Sequence, residues 1–333
     1  MRAMVTGIAG FLGSHLARAL LSRGWEVVGV DSLVGGYEDN VPSGAKFVRG
    51  DCNDLPLMRE LTRGAEVVYH CAATAYEGLS VFSPKLVTEN VVGATASVLS
   101  AACATGVRRF VHCSSMARYG DSPVPFVESM EPRPVDPYGI GKVASEALVK
   151  NLCAVHGLEW TIAVPHNVYG PGQKYDDPFR NVAAIFANRM LRGEQPFIYG
   201  DGGQRRCFSY VDDVVGPLLL MGAESPAVGR VVNLGPDDEF VTVLELAKLV
   251  ADVVGIELAP RFVQDRPLEV RDATCSADLA RDLLGYESTV PLRRGVEALV
   301  AWVRERGPRP FRYHLPLEIV TDKTPDTWRK RLM

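Results

Sequence analysis

Cysteine is scarce in any bonding pattern. Seven cysteines occur (Cys52, Cys71, Cys103, Cys113, Cys153, Cys207 and Cys275), an odd number, and no two form a CxxC pair. That spacing argues against a disulfide framework or a zinc site and fits small buried thiols in a reducing compartment. No metal is expected. Basic charge is not in excess either: 36 Lys and Arg face 40 Asp and Glu, a formal net charge of −4. Neither nucleic acid nor an anionic membrane is therefore an expected partner. No run of 18 or more apolar residues reads as a membrane span, no signal-peptide pattern opens the chain, and no internal repeat or low-complexity segment appears. A cytoplasmic location is the expectation. What is present is 333 residues, 47% of them hydrophobic, enough for one large or two ordinary domains.

The opening stretch, RAMVTGIAGFLGSHLARALLSRG, reads as a short strand, a glycine turn and an amphipathic helix ended by Gly24. Gly7, Gly10 and Gly13 let the backbone turn tightly and approach a pyrophosphate at the helix N-terminus. The spacing is GxxGxxG rather than GxGxxG. A second buried strand, WEVVGVDS, ends in Asp31, with Ser32 after it. A carboxylate there suits ribose hydroxyls and repels a 2′-phosphate, which favours NAD over NADP.

Further strands follow in KFVRGDC (ending at Asp51), AEVVYHCAA (ending at Ala72 and Ala73), RRFVHCSS (ending at Ser114 and Ser115) and WTIAVPHNVYGP. Helices are expected between them near 54–63, 84–105 and 137–156. This alternation implies an α/β fold with a Rossmann-type, doubly wound parallel sheet, whose ligands bind beyond the carboxyl ends of the strands. Asp31, Asp51, Ala73, Ser115 and Asn167 fall at or just beyond such ends. Eighteen residues after SSMARYG stands YGIGK, which puts Tyr138 and Lys142 on one helix face. A cation so placed stabilises a phenolate, which otherwise forms only near pH 10.

With those residues in order, the chain resembles the extended short-chain dehydrogenase/reductases, specifically the nucleotide-sugar epimerases and dehydratases. The resemblance spans about residues 2–305 and rests on TGIAGFLGSHL, DSLVGGYEDNVP, YHCAA, ENVVGAT, SSMARYG, YGIGK, NVYGPGQ, IYGDGGQRRCFSYVDD and DRPLEV in register. It implies that Tyr138 takes a sugar hydroxyl proton, with Ser115 on the same oxygen and Lys142 supplying charge. It implies a bound NAD held by Gly7, Gly10, Phe11, Leu12, Gly13, Asp31, Ser32, Asp51, Cys52, Ala72, Ala73, Asn90, Ser114, Tyr138, Lys142, Pro165 and His166. On the substrate side it implies Ser115, Met116, Tyr138, Asn167, Lys174, Arg180, Asn181, Tyr199, Arg206, Arg266 and Glu269. The two arginines Arg206 and Arg266 would hold a diphosphate bidentately, and Tyr199 would lie beside a uracil.

The implied reaction is oxidation at the sugar C4. The resembling 4,6-dehydratases carry Asp-Glu directly after the catalytic hydroxyl residue, and UDP-glucuronate decarboxylases carry a Glu at the second of these places. Here the two are Met116 and Ala117. Four-epimerisation of a UDP-sugar, through a transient 4-keto sugar, is the simplest remaining chemistry. UDP-glucuronate is favoured, because Lys174 falls where glucuronate 4-epimerases can carry an arginine for the sugar carboxylate; Arg180 is a second candidate. Ala273 suggests room for an N-acetyl group, so UDP-GlcNAc and UDP-glucose/galactose also enter. The alternatives are a dehydratase or 4-ketoreductase of the same family, or a non-catalytic NAD-binding regulator.

Two residues depart from the pattern. Arg118 replaces a usual valine or isoleucine; strand alternation would place it opposite Ala117, in a structural ion pair. His166 precedes Asn167 as a core histidine or a neighbour of the nicotinamide. The expected division is residues 1–166 for NAD, with about 205–222 packing back, 167–310 as a smaller substrate lobe, and 311–333 as a strap. The lobe should contain helices near 181–193, 243–254 and 277–284 and strands near 197–199 and 231–234. The end of the chain has four prolines (Pro308, Pro310, Pro316 and Pro325) but also Phe311, Tyr313, Leu315, Leu317, Ile319 and Trp328, too apolar for a disordered tail. The helices near 84–105 and 137–156 resemble the family's dimer interface, so a homodimer is expected.

Overall fold

In the computed structural model, which describes residues 1–223 and 226–333, the apolar runs of the first half become six strands. They are β1 (Arg2–Thr6), β2 (Glu26–Asp31), β3 (Lys46–Arg49), β4 (Val67–His70), β5 (Arg109–Cys113) and β6 (Glu159–Pro165). All are parallel, in the spatial order β6-β5-β4-β1-β2-β3, and Val231–Leu234 is added outside β6. The central β4 and β5 are buried along their whole length, as expected for a parallel sheet with helices on both faces.

Those helices are α1 (Phe11–Ser22), α2 (Leu55–Thr62), α3 (Glu77–Ser80), α4 (Pro84–Thr88), α5 (Ala94–Thr105) and α6 (Pro137–His156). One face of the sheet carries α1 with the helix Val211–Gly222; the other carries α2, α5 and α6. The stretch expected as one helix near 84–105 is broken into α4, a π-helical turn at Glu89–Gly93, and α5. By length and composition, Pro84–Thr105 would suffice to cross a membrane, although no uninterrupted apolar run marks it. Here Val87, Val91, Val98 and Leu99 of that stretch are wholly or almost wholly buried in the core.

Two segments expected in the smaller lobe belong to the main sheet. Val231–Leu234 pairs with β6, Val231 opposite Ile162, and Asp278–Leu284 packs against it. Val232 and Leu234 are fully buried, so four apolar residues complete a sheet edge that short-range periodicity could not distinguish from a lobe strand. The smaller lobe is built on Val182–Leu191, Val243–Val254 and an unanticipated helix, Leu292–Arg306. The last buries Leu292, Val296, Leu299, Val300 and Val303 at helical spacing.

The strap is packed. Trp328 and Phe179 rings meet edge to face at 5.2 Å, and Trp328 also contacts Phe82. The Arg312 amide donates to the Asp176 carbonyl at 2.8 Å. Glu318 accepts from the Lys85 and Leu86 amides at the start of α4, each at 2.9 Å. Trp328 is 3% exposed, so Trp328→Ala should lower folding free energy by about 3–5 kcal/mol in urea titration. A loss under 1 kcal/mol would mean that the strap contributes little to the fold.

Candidate active site

The carboxyl ends of β1, β2, β4, β5 and β6 open into one cleft of about 480 Å³. At its nucleotide end the chain passes from β1 into the glycine turn. Gly7 has φ +73°, and a Cβ on Gly13 would run into the Gly7 carbonyl oxygen. Gly10 caps α1 with no side-chain hydrogen bond, which leaves the first helical amides directed at the cleft. Asp31 accepts from the Ala9 and Gly10 amides at 3.0 Å each and from Leu33 at 2.7 Å. Burial pushes its carboxyl up, against the pull of these amides. A side chain-free cradle, unmet helix amides and an acid at the end of β2 together fit NAD.

The reactive wall is built where β5 meets α6. Past Cys113 the chain runs through Ser114 and Ser115 into a 3-10 turn, Met116–Tyr119. The Asp136 side chain caps α6 by accepting from the Gly139 amide at 3.0 Å, and Pro137 starts the first turn. Tyr138 and Lys142 thereby face the strand end. The Lys142 ammonium donates to the Cys113 carbonyl at 2.7 Å and lies 5.8 Å from the Tyr138 ring centre. Burial lowers Lys142 to about 8. Burial also pushes the Tyr138 phenol up, while Ser115 beside it and the charge of Arg180 pull it down.

Arg118 forms the expected ion pair by a different route. It lies in the 3-10 turn, not in a strand. Its guanidinium donates to Glu146 at 2.9 and 3.1 Å, and the Ser114 hydroxyl donates to the same carboxylate at 2.5 Å. Arg118 and Glu146 are each at most 2% exposed.

On the substrate side, Asn167 donates to the Cys207 carbonyl at 3.0 Å, and Asn181 caps the helix Val182–Leu191. The Arg266 guanidinium stacks 4.7 Å over the Tyr199 ring and pairs with Glu269 at 2.6 Å. Arg206 is held by the Val270 carbonyl at 2.6 Å. The Tyr199 hydroxyl meets the Thr327 hydroxyl of the strap at 2.5 Å.

The cleft is lined by all the residues singled out from sequence for cofactor or substrate, with two exceptions. His166 is wholly buried, 3.3 Å from Asn233, and burial lowers it to about 4; the following Asn167 turns toward the cleft instead. Lys174 places its ammonium 4.9 Å from the Tyr37 ring centre and 4.0 Å from Asp176, away from the cleft. Asp176 is a near neighbour in sequence, but Tyr37 is more than a hundred positions away, and no sequence spacing marks that contact. Ala273 likewise sits in the core, paired with Arg206 across a short sheet, and does not line the cleft. Sequence reading passed over Tyr76, Glu77, Phe179 and Gln204, which do line it. The signal for Tyr76 and Glu77 was their place just after the end of β4.

Such a sheet, glycine cradle and Ser–Tyr–Lys wall define a protein of the short-chain dehydrogenase/reductase type with a site for a nucleotide cofactor. The chain belongs to the NAD dependent epimerase/dehydratase family, whose model matches residues 3–235. It is 36% identical over 317 residues to UDP-glucose 4-epimerase of Mycolicibacterium smegmatis, covering 92% of this chain and 99% of that protein. It is also 36% identical over 324 residues to UDP-glucuronic acid decarboxylase 2 of Arabidopsis thaliana, covering 92% and 69%. The solved UDP-glucose 4-epimerase of Thermotoga maritima, with UDP-glucose, superposes with TM-score 0.87 at 33% identity, covering 92% and 99%.

Removing the Arg118 charge would leave Glu146 buried without its main partner. Arg118→Met should therefore cost about 3–5 kcal/mol of folding free energy, read by chemical denaturation. A neutral effect would show that Ser114 and Lys150, whose ammonium lies 3.8 Å from Glu146, suffice to hold that carboxylate.

Proposed function

We propose that the chain is an NAD-dependent 4-epimerase of UDP-sugars. The observation that carries this reading is the meeting of Ser115, Tyr138 and Lys142 at one wall of the cleft, with no acid in the next two positions. Met116 lines the cleft and Ala117 is buried against Tyr138. NAD, when bound, supplies removal and return of hydride at one sugar carbon. Tyr138 takes the proton of the sugar 4-hydroxyl as that carbon is oxidised. It returns the proton once the 4-keto ring presents its other face. Ser115 steadies the same oxygen. Lys142, charged below about pH 8, favours the phenolate that burial opposes. Arg206 and Arg266 are suited to the diphosphate, and Tyr199 to the base.

The expectation of UDP-glucuronate loses its first support, since Lys174 faces Tyr37; Arg180 alone remains as the expected cleft cation. A homodimer through α5 and α6 is part of the proposal, supported by Ile140 and Val155 of α6, which are 54% and 69% exposed. The free thiols fit a reducing cytoplasm.

The test uses the purified protein without added cofactor, incubated separately with UDP-glucose, UDP-glucuronate and UDP-GlcNAc and resolved by anion-exchange chromatography with mass detection. A new peak of unchanged mass is expected from at least one sugar. A product lighter by water or carbon dioxide would assign elimination or decarboxylation instead. No product from any, with turnover only on added reduced cofactor and a keto sugar, would assign a reductase. Tyr138→Phe should lower epimerisation by about 10²–10⁴-fold, the usual contribution of a positioned acid–base group.

A further inference from the structure

Glu77 opens the four-residue helix α3, seven residues past the end of β4, and its side chain lines the cleft. Among the described residues its carboxylate has no hydrogen bond or ion pair. Its side chain is open to solvent within the cleft, and four charged groups act on it. Asp136 caps α6 next to it and shares Ser80 with α3, at 3.2 Å; Arg206, Arg266 and Glu269 of the smaller lobe act on it electrostatically. The first turn of α3 lies against the diphosphate clamp: a Cβ on Gly78 would stand 3.2 Å from an Arg266 nitrogen. On the other side, Glu77 acts on Tyr138, whose phenol its charge pushes up.

These neighbours locate Glu77 along the sugar, given the function proposed above. A sugar whose C1 carries the diphosphate at Arg206 and Arg266 and whose C4 hydroxyl reaches Tyr138 must span the space between them. Glu77 lines the same cleft, its helix lies against Arg266, and its charge acts on Tyr138. A carboxylate only accepts hydrogen bonds when ionised, and sugar hydroxyls are donors. A second carboxylate on the sugar would meet it as a like charge in a cleft of reduced dielectric.

We propose that Glu77 determines sugar specificity: its carboxylate accepts from hydroxyls of a neutral hexose and disfavours a uronate, so that the substrate class is uncharged UDP-sugars. The inference rests on the UDP-sugar reading of the cleft and deepens it. Although the side chain itself stays open to solvent, the protein packed around the cleft, and then Asp136, push the Glu77 carboxyl up to about 7. Discrimination is therefore full above that pH and fades as Glu77 takes a proton below it.

Binding tests this apart from turnover. Isothermal titration of the protein with UDP, UDP-glucose and UDP-glucuronate at pH 8 should show UDP-glucose bound at least tenfold more tightly than UDP-glucuronate. Glu77→Gln should shrink that ratio to within about threefold, while Glu77→Asp, which keeps the charge, should preserve most of it. In the unmodified protein the ratio should also shrink at pH 6, and in Glu77→Gln it should not move with pH. UDP-glucuronate binding as tightly as UDP-glucose, or a ratio unmoved by Glu77→Gln, would overturn the inference and assign sugar reading to Arg180, leaving the epimerase reading standing. Failure of UDP itself to bind would overturn the nucleotide assignment, and this inference with it.

Discussion

The site depends on how α6 is fixed to the end of β5. Four charged or polar side chains do this from within the core. Glu146 of α6 takes hydrogen bonds from Ser114, one residue past the strand, and from Arg118, one turn later. Lys142, one turn earlier on α6, reaches the last carbonyl of the strand. A displacement of α6 along its axis would break all of these at once. Because Arg118 and Glu146 are out of water, neither can exchange its partner for solvent, so the register is specified sharply. Ser115 and Tyr138 inherit their relative position from that register.

A second set of contacts shapes the cleft from the opposite side. In the segment after β6, Asp176 accepts from the Tyr37 hydroxyl and Asp177 from the Tyr76 hydroxyl, both at 2.6 Å. Arg180 follows, stacked 4.4 Å over the Tyr76 ring and donating to the Gly35 carbonyl at 2.8 Å. These pairs join the substrate side to the loops after β2 and β4, which border the nucleotide end. The strap covers the outside of the same segment, with Tyr313 and Trp328 against Phe179. The strap is therefore structural support for the cleft wall, and its aromatic content, unusual for a terminal stretch, has a packing reason.

Much of this was legible in the sequence because it obeys local rules. The glycine turn, the acid ending β2, the serines ending β5 and the Tyr–Lys pair each follow from strand ends and helix faces, and all of them line one cleft. What was misplaced depends on contacts distant in sequence. Val231–Leu234 is too short to announce whether it completes a large sheet or begins a lobe; its pairing with β6 decides that. Lys174 has a long flexible stem, and which of Tyr37, Asp176 or the cleft it reaches is set by residues more than a hundred positions away as well as by its neighbours. Arg118 was expected in a structural ion pair on the strand face opposite Ala117; the ion pair is there, but the backbone is a 3-10 turn rather than a strand.

The same burial that fixes the catalytic wall also works against its chemistry. Desolvation raises Tyr138 and Glu77 and lowers Lys142, in each case disfavouring the charged form. A phenolate beside an ionised Glu77 is doubly disfavoured, so the two acids are coupled through the space a sugar would fill. Arg180 and Ser115 oppose the shift at Tyr138, and Arg206 and Arg266 oppose it at Glu77. A diphosphate bound to the two arginines would offset their charge and weaken their support of the Glu77 anion. Hydrogen bonds donated by sugar hydroxyls would restore it. On the proposed reading, substrate recognition and proton transfer are linked in this cleft by charge balance: the carboxylate proposed to read the sugar would also set part of the barrier that a proton-accepting Tyr138 must overcome.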